Sequence, residues 1–168
     1  MNQVKKILAP TDLSKLSLTG LRYAFNLAQS FNAEVTVYHI INRDELMHFS
    51  EQLQRFGNPI AIGRHTENLL QESQAALSHF LQDNLGDLLP AVKVQTKVEM
   101  GLPYKNIVER ARDDRADLIV MSTHGRTGFS HVLLGSVTEK VVRTAPCPVV
   151  SIHPQEEHES AQRKIEAG

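Results

Sequence analysis

Apolar and polar positions along the chain alternate between two periods, one of strands and one of helices. Ile7–Leu8–Ala9 is a short apolar run stopped by Pro10 and reads as a buried strand. Behind Ser14, a good N-cap, the residues Leu18, Leu21, Ala24, Phe25, Ala28 and Phe31 recur at helical spacing. Val35–Ile41 is continuously apolar apart from Thr36 and His39, the pattern of a strand covered on both faces in a parallel sheet. Residues Asn42–His65 break this rhythm. Asp44–Arg55 can form a polar helix, whereas Phe56–Gly57–Asn58–Pro59 and Ile62–Gly63 read as a loop.

Leu69, Ser73, Ala76, Leu77, Phe80 and Leu81 then mark one face of a long helix ending near Gly86. Val92, Val94 and Val98 alternate with polar residues, which predicts a strand near a sheet edge. After Gly101–Leu102–Pro103 comes a helix carrying Ile107, Val108 and Ala111. Asp117–Ser122 is the most strand-like run of the chain. A glycine-rich stretch follows, then a helix over Ser136–Ala145 and a last strand, Val149–Ile152. The order β-α-β-α-β-α-β-α-β, with right-handed crossovers, predicts an α/β fold: a single open, mostly parallel five-stranded sheet with helices on both faces. Ligands in such sheets lie beyond the carboxyl ends of the strands, where strand order reverses. Chemistry is therefore sought after Pro10, after Ile40 and after Ser122.

At 168 residues the chain is the size of one domain and can bury a full core without disulfide or metal. A formal net charge of -1 argues against nucleic acid or an anionic membrane as partner. The lack of Trp and the 5% aromatic content argue against a base-stacking platform. Only one cysteine is present, Cys147 between Pro146 and Pro148, and it reads as a small structural hydrophobe. With no secretory leader and no membrane-length apolar run, the expected location is the cytoplasm.

After the first strand the chain reads Pro10–Thr11–Asp12–Leu13–Ser14. The Asp12 carboxylate can accept from a ribose hydroxyl or a base amine, or it can simply sit in the first turn of a helix. After the fourth strand, Gly125, Gly128 and Gly135 allow left-handed turns and close approach to a ligand. Their amides, with those opening the Ser136 helix, can surround phosphate oxygens; Arg126 adds a charge, and Ser130, Ser136 and Thr138 add hydroxyls. Ser136-Val-Thr-Glu139 is also a complete capping box, which would occupy Ser136 with its own helix. Neither a P-loop nor a dinucleotide-binding glycine fingerprint occurs. The chain has eight histidines. His39 reads as a hydrogen-bonded core residue, while His124 and His131 share the glycine loop without a third ligand nearby. No protein-held metal site and no catalytic triad is expected.

These segments resemble the universal stress proteins, most densely in Lys6–Ser14 and in Asp117–Val150. The resemblance covers roughly Lys5–Ile152, which sets a domain at residues 1–153, with 42–66 a variable insertion and 154–168 a charged tail. It implies a Rossmann-like fold of the adenine nucleotide alpha-hydrolase type. The family's ATP pattern, Gly-x2-Gly-x9-Gly-[Ser/Thr], falls on Ser122, Gly125, Gly135 and Ser136, with Ser122 replacing the first glycine. The resemblance implies that Asp12 and the Ile40 backbone hold the adenine–ribose end, with Pro10, Thr11 and Met121 lining it. Gly125, Arg126, Gly135, Ser136, Val137 and Thr138 would surround the phosphates beside His124. The serine at 122 would crowd or hydrogen-bond the sugar, leaving binding weakened or unchanged.

The expected function is thus an ATP-binding regulatory or protective stress module, with Mg2+ or Mn2+ bridging the phosphates. A homodimer through Val149–Ile152 and an unknown protein client are also implied. Two alternatives use the same residues: a slow ATP-hydrolysing switch drawing on His124, His131 or Asp12, and a nucleotide-independent interaction module.

Overall fold

In the computed structural model, residues 3–42, 59–123 and 134–153 are described. Strand β1, Lys6–Thr11, leads into helix α1, Lys15–Phe31, and then β2, Glu34–Asn42. Helix α2 spans Pro59–Leu85. A short 3-10 turn, Leu89–Ala91, precedes β3, Lys93–Gly101, and helix α3, Pro103–Asp113. Strand β4, Leu118–Ser122, helix α4, Ser136–Thr144, and strand β5, Val149–Ile152, follow in that order.

The sheet has five strands in the order β3-β2-β1-β4-β5, and every pairing is parallel. Strand β1 is therefore central, and the chain grows from it first toward β3 and then toward β5. The order reverses between β1 and β4, and the ligand crevice of such a sheet lies at their carboxyl ends. The regular β3 pattern proves to be an outer strand, as its alternating sequence implies.

Two apolar clusters sandwich the sheet. On one face Leu21 and Phe25 of α1 and Leu77 and Leu81 of α2 pack against Val35, Val37 and Val120. On the other face Ile107 and Ala111 of α3 and Val141 of α4 pack against Leu8, Tyr38, Ile119 and Met121. Phe31, at the end of the predicted α1 stripe and the last residue of the helix, is 39% exposed.

Helix α1 starts where the sequence predicts, with the Ser14 side chain accepting from the Ser17 amide, and ends at Asn32 in the left-handed region, φ 53°. Helix α2 corrects the loop expected across Pro59 and Ile62–Gly63. Proline needs no amide partner in a first turn, and one internal glycine costs only about 1 kcal/mol, so the helix begins at Pro59. The polar helix considered for Asp44–Arg55 lies outside the described residues.

A second correction concerns Pro10. It does not stop β1, which continues through it to Thr11, paired on the β2 side as Pro10↔Tyr38 and Thr11↔His39. On the β4 side the register pairs are only Ile7↔Leu118 and Leu8↔Ile119. The Glu34 amide donates to Lys5 O, so odd-numbered residues of β1 turn their polar groups toward β2 and even-numbered ones toward β4. Proline's missing donor therefore faces β4, just past the last β1–β4 pair. Beyond Leu8 the two central strands are not laddered, and the crevice opens there.

Candidate functional site

The end of β1 is a tight turn built from side-chain oxygens. Leu13 has φ 62°, a left-handed conformation costly for a branched side chain. Its amide donates to Thr11 Oγ1 at 3.1 Å. Asp12 Oδ1 accepts from both the Ser14 amide at 3.0 Å and the Ser14 hydroxyl at 2.6 Å. Ser14 Oγ in turn accepts from the Ser17 amide at 3.2 Å. Asp12 thus acts locally as a turn former, and a carboxylate has the lone pairs to accept from a ligand hydroxyl as well.

This turn changes what β2 presents. By the register of the β1–β2 ladder, the Ile40 carbonyl faces β1 and would accept from Leu13, the next odd-numbered amide. That amide is held by Thr11 Oγ1 instead. Among the described residues no hydrogen bond reaches the Ile40 carbonyl, which lies at the crevice mouth one residue past the final β1–β2 pair. His39, 5% exposed, donates from Nδ1 to Thr11 O at 2.9 Å, as expected for a hydrogen-bonded core histidine.

Across the crevice, α4 is pinned to β4 by two bonds. The Gly135 amide donates to Thr123 O at 2.7 Å, and Thr138 Oγ1 donates to Ser122 O at 3.0 Å. Gly135 is the N-cap, with φ -64° and ψ 151° and no side-chain cap bond. The capping box expected at Ser136 does not form, since Ser136 is already the first helical residue and is not the cap. Nor is Gly135 left-handed; what glycine supplies there is the absence of a side chain in front of the helix. The first intrahelical donor is Glu139, to Gly135 O at 2.9 Å. The amides of Ser136, Val137 and Thr138 have no intrahelical acceptor and make no other bond among the described residues. They form the positive end of the α4 dipole.

Two hydroxyls expected to face a ligand are directed elsewhere. Thr138 is 3% exposed and its hydroxyl is used on Ser122 O, so only its amide faces the crevice. Ser122 is 7% exposed, and its hydroxyl donates to Leu16 O at 2.7 Å and accepts from the Gly20 amide at 3.0 Å. The side chain is withdrawn into α1, away from the space where it was expected to crowd a sugar. Pro10, Thr11 and Met121 are buried beneath the crevice, Met121 on the α3–α4 side. His124, Gly125 and Arg126 lie outside the described residues, as do Gly128, Ser130 and His131. The structure thus brings together Pro10–Asp12, Ile40, Met121–Ser122 and Gly135–Thr138. No group of three or more potential metal ligands occurs among the described residues.

A separate cleft of about 430 Å³ opens at the opposite end of the sheet, lined by Lys6, Glu34, Gln95, Lys97 and Asp114 among others. Several of its charges are paired: Lys97 with Asp114 at 3.0 Å and Glu34 with Lys93 at 2.9 Å, while Lys6 Nζ donates to Asp114 O at 3.1 Å. These pairings leave it without the directed acceptors and donors of the crevice.

The crevice stands at the positions where the sequence resembles a nucleotide-binding family, and comparison with known proteins decides the family. Residues 3–153 match the model of the universal stress protein family. The chain belongs to that family. It is 37% identical over 153 residues to universal stress protein MJ0531 of Methanocaldococcus jannaschii, covering 90% of this chain and 83% of that protein. The solved structure of MJ0577, from the same organism, superposes with a TM-score of 0.68 at 28% identity, covering 93% of this chain and all of that one. An Archaeoglobus fulgidus universal stress protein solved in complex with dAMP shares the fold, with a TM-score of 0.59, 21% identity and coverage of 90% and 99%. No helix among the described residues of this universal stress protein is long and apolar enough to cross a membrane.

Proposed function

We propose that this universal stress protein binds ATP, with Mg2+ or Mn2+ carried on the phosphates, and acts as a nucleotide-dependent regulatory or protective module in the cytoplasm. The observation that carries the reading is the Ile40 carbonyl, an acceptor left open at a strand end opposite uncapped helix amides. An open acceptor suits the exocyclic amine of adenine, and the Asp12 carboxylate suits ribose hydroxyls. The amides of Ser136–Thr138, at the positive end of α4, suit phosphate. In this reading Gly125, Arg126 and His124 complete the phosphate side. The dAMP complex of the A. fulgidus relative supports an adenine nucleotide as the ligand class.

The test is a thermal-shift titration with ATP and Mg2+. A ligand at 100 times its Kd, binding the native state alone, adds about 2.7 kcal/mol, so saturable stabilisation is expected. No shift at millimolar ATP overturns the reading in favour of an interaction module that works without nucleotide. Gly135→Val, which puts a branched side chain in front of the free amides, is expected to abolish the shift. The module is proposed as a binder and not a metabolic enzyme, so ATP should survive long incubation. Single-turnover hydrolysis that disappears in His124→Ala would make it a slow switch instead.

The proposal includes a homodimer through Val149–Ile152, the outer strand β5, whose Val149, Val150 and Ile152 are only half-buried. Light scattering coupled to size exclusion checks it, and a strict monomer at micromolar concentration refutes it. The client on which such a dimer acts is a separate protein.

A further inference from the structure

We infer that Thr11 is a positioning residue that keeps the Ile40 carbonyl open and thereby sets which purine the site prefers. The inference rests on the nucleotide reading above and assigns a task to a side chain that no ligand needs to touch.

The hydroxyl of Thr11 has one proton and one strong acceptor role here, and the surrounding bonds fix both. Ser17 Oγ gives its own proton to Ser14 O at 2.7 Å. In the 2.8 Å contact between Thr11 Oγ1 and Ser17 Oγ, Thr11 must therefore be the donor. Thr11 Oγ1 is then free to accept, and it accepts from the Leu13 amide at 3.1 Å. Thr11 and Ser17 are 7% and 6% exposed, so water does not readily replace either bond.

The alternative partner for the Leu13 amide is the next acceptor of the β1–β2 ladder, the Ile40 carbonyl. The two arrangements exclude each other. With Thr11 holding the amide, Leu13 sits at φ 62° and the Ile40 carbonyl is available. Without that hydroxyl, a part-buried amide lacks an acceptor, and extending the ladder by one step satisfies it. The Ile40 carbonyl would then be occupied and could no longer receive the amine of adenine. Ionic and dipolar contacts to phosphate, on the far side of the crevice, would not change.

The experiment compares ATP with inosine triphosphate, in which an oxygen replaces the exocyclic amine. The parent protein is expected to favour ATP by about tenfold, the size of one hydrogen bond. Thr11→Val, close in shape but lacking the hydroxyl, should bring the two affinities together while leaving the ATP-to-AMP ratio unchanged. Thr11→Ser should restore the discrimination. A Thr11→Val protein that keeps the parent's preference for ATP overturns the inference. A parent that binds neither nucleotide overturns the nucleotide reading, and a ligand-free measurement then judges Thr11 separately. That measurement is the NMR coupling across a hydrogen bond between the Leu13 nitrogen and the Ile40 carbonyl carbon. It should be absent in the parent and present in Thr11→Val, and its absence from both refutes the exchange of partners. If Thr11→Val does not fold, Thr11→Ala, which likewise removes the acceptor of the Leu13 amide, takes its place in both measurements. Loss of the ATP preference and appearance of the coupling then support the inference, and an unchanged preference overturns it.

Discussion

The Ser122 hydroxyl accepts the amide of Gly20, four residues on from Leu16, whose carbonyl receives the Ser122 proton. Leu16 and Gly20 are the natural i→i−4 partners of a helix. A side chain from β4 thus bonds to both members of one step of the α1 ladder. Helix and strand are correspondingly close: a Cβ on Gly20 would lie 2.6 Å from the Ser122 nitrogen and 2.8 Å from the Met121 carbonyl carbon.

Gly20→Ala should therefore destabilise the protein despite alanine's better helix propensity. The contacts are with backbone, which cannot rotate away, so the helix must shift from the sheet. A loss of roughly 1–3 kcal/mol is expected in urea unfolding. An unchanged or raised midpoint would show that α1 can move outward at little cost.

Ser122→Ala should be much milder. With the hydroxyl gone, the Gly20 amide and Leu16 carbonyl still have each other as i→i−4 partners within the helix. The expected loss is below about 1.5 kcal/mol, and the ATP-induced thermal shift should persist, because the hydroxyl faces α1 and not the crevice. Loss of the nucleotide response in a well-folded Ser122→Ala protein would contradict that placement.

Tyr38 is fully buried between α3 and the sheet and donates to Glu99 Oε2 at 2.6 Å. Burial chiefly, and then the carboxylate it bonds, raise the phenol above its ordinary range. A group whose folded pKa is raised lends stability below its unfolded pKa and loses it as pH rises toward the folded value. Stability should therefore decline above pH about 10, the ordinary phenol value, as the unfolded state ionises first. In Tyr38→Phe that alkaline decline should be shallower, which denaturant titrations at two alkaline pH values would register.

Cys147, half-buried just before β5, has its thiol pushed up by burial and, to a lesser degree, by the charge of Asp117. Less thiolate at neutral pH means slow chemistry. Its reaction with a thiol-specific chromogenic disulfide should be slower than that of a free cysteine peptide in the native protein, and should match it after denaturation. Equal native rates would point to a reactive residue.

The elements with long, regular apolar patterns are readable from sequence. Ile107, Val108 and Ala111 fix α3, and the strand-like run Asp117–Ser122 forms β4 from Leu118. Pro10 misleads because a proline's effect in a sheet depends on which neighbour its missing donor faces, and here that neighbour has already parted from β1. Ser136-Val-Thr-Glu139 has the right residues for a capping box, but its helix starts one residue earlier than the box requires. The place of the crevice, at the carboxyl ends of the strands, is legible in the sequence, while the turn that Asp12 makes with Ser14 and the direction of the hydroxyls are not. Ser122 and Thr138 both carry hydroxyls of the expected type, and only the fold shows that each is turned inward. The Ile40 carbonyl has no side-chain signature at all. The family resemblance names its backbone, and the φ of Leu13 with the register of two strands shows its carbonyl to be open.

The central place of β1 also bears on how the chain reaches its native state. Lys6–Thr11 leaves the ribosome well before β4, and one of its edges is satisfied early by β2. Its other edge waits for Leu118 and Ile119, more than a hundred residues downstream. A nascent chain that had not yet emerged as far as β4 would carry a largely apolar central strand with one side unpaired, an invitation to intermolecular pairing. Closing so distant a contact is slow compared with forming the local β-α-β unit of β1, α1 and β2. Because residues from both sides of that late closure make up the crevice, a ligand there would bind only chains that have completed it, and would report the last folding step as well as reward it.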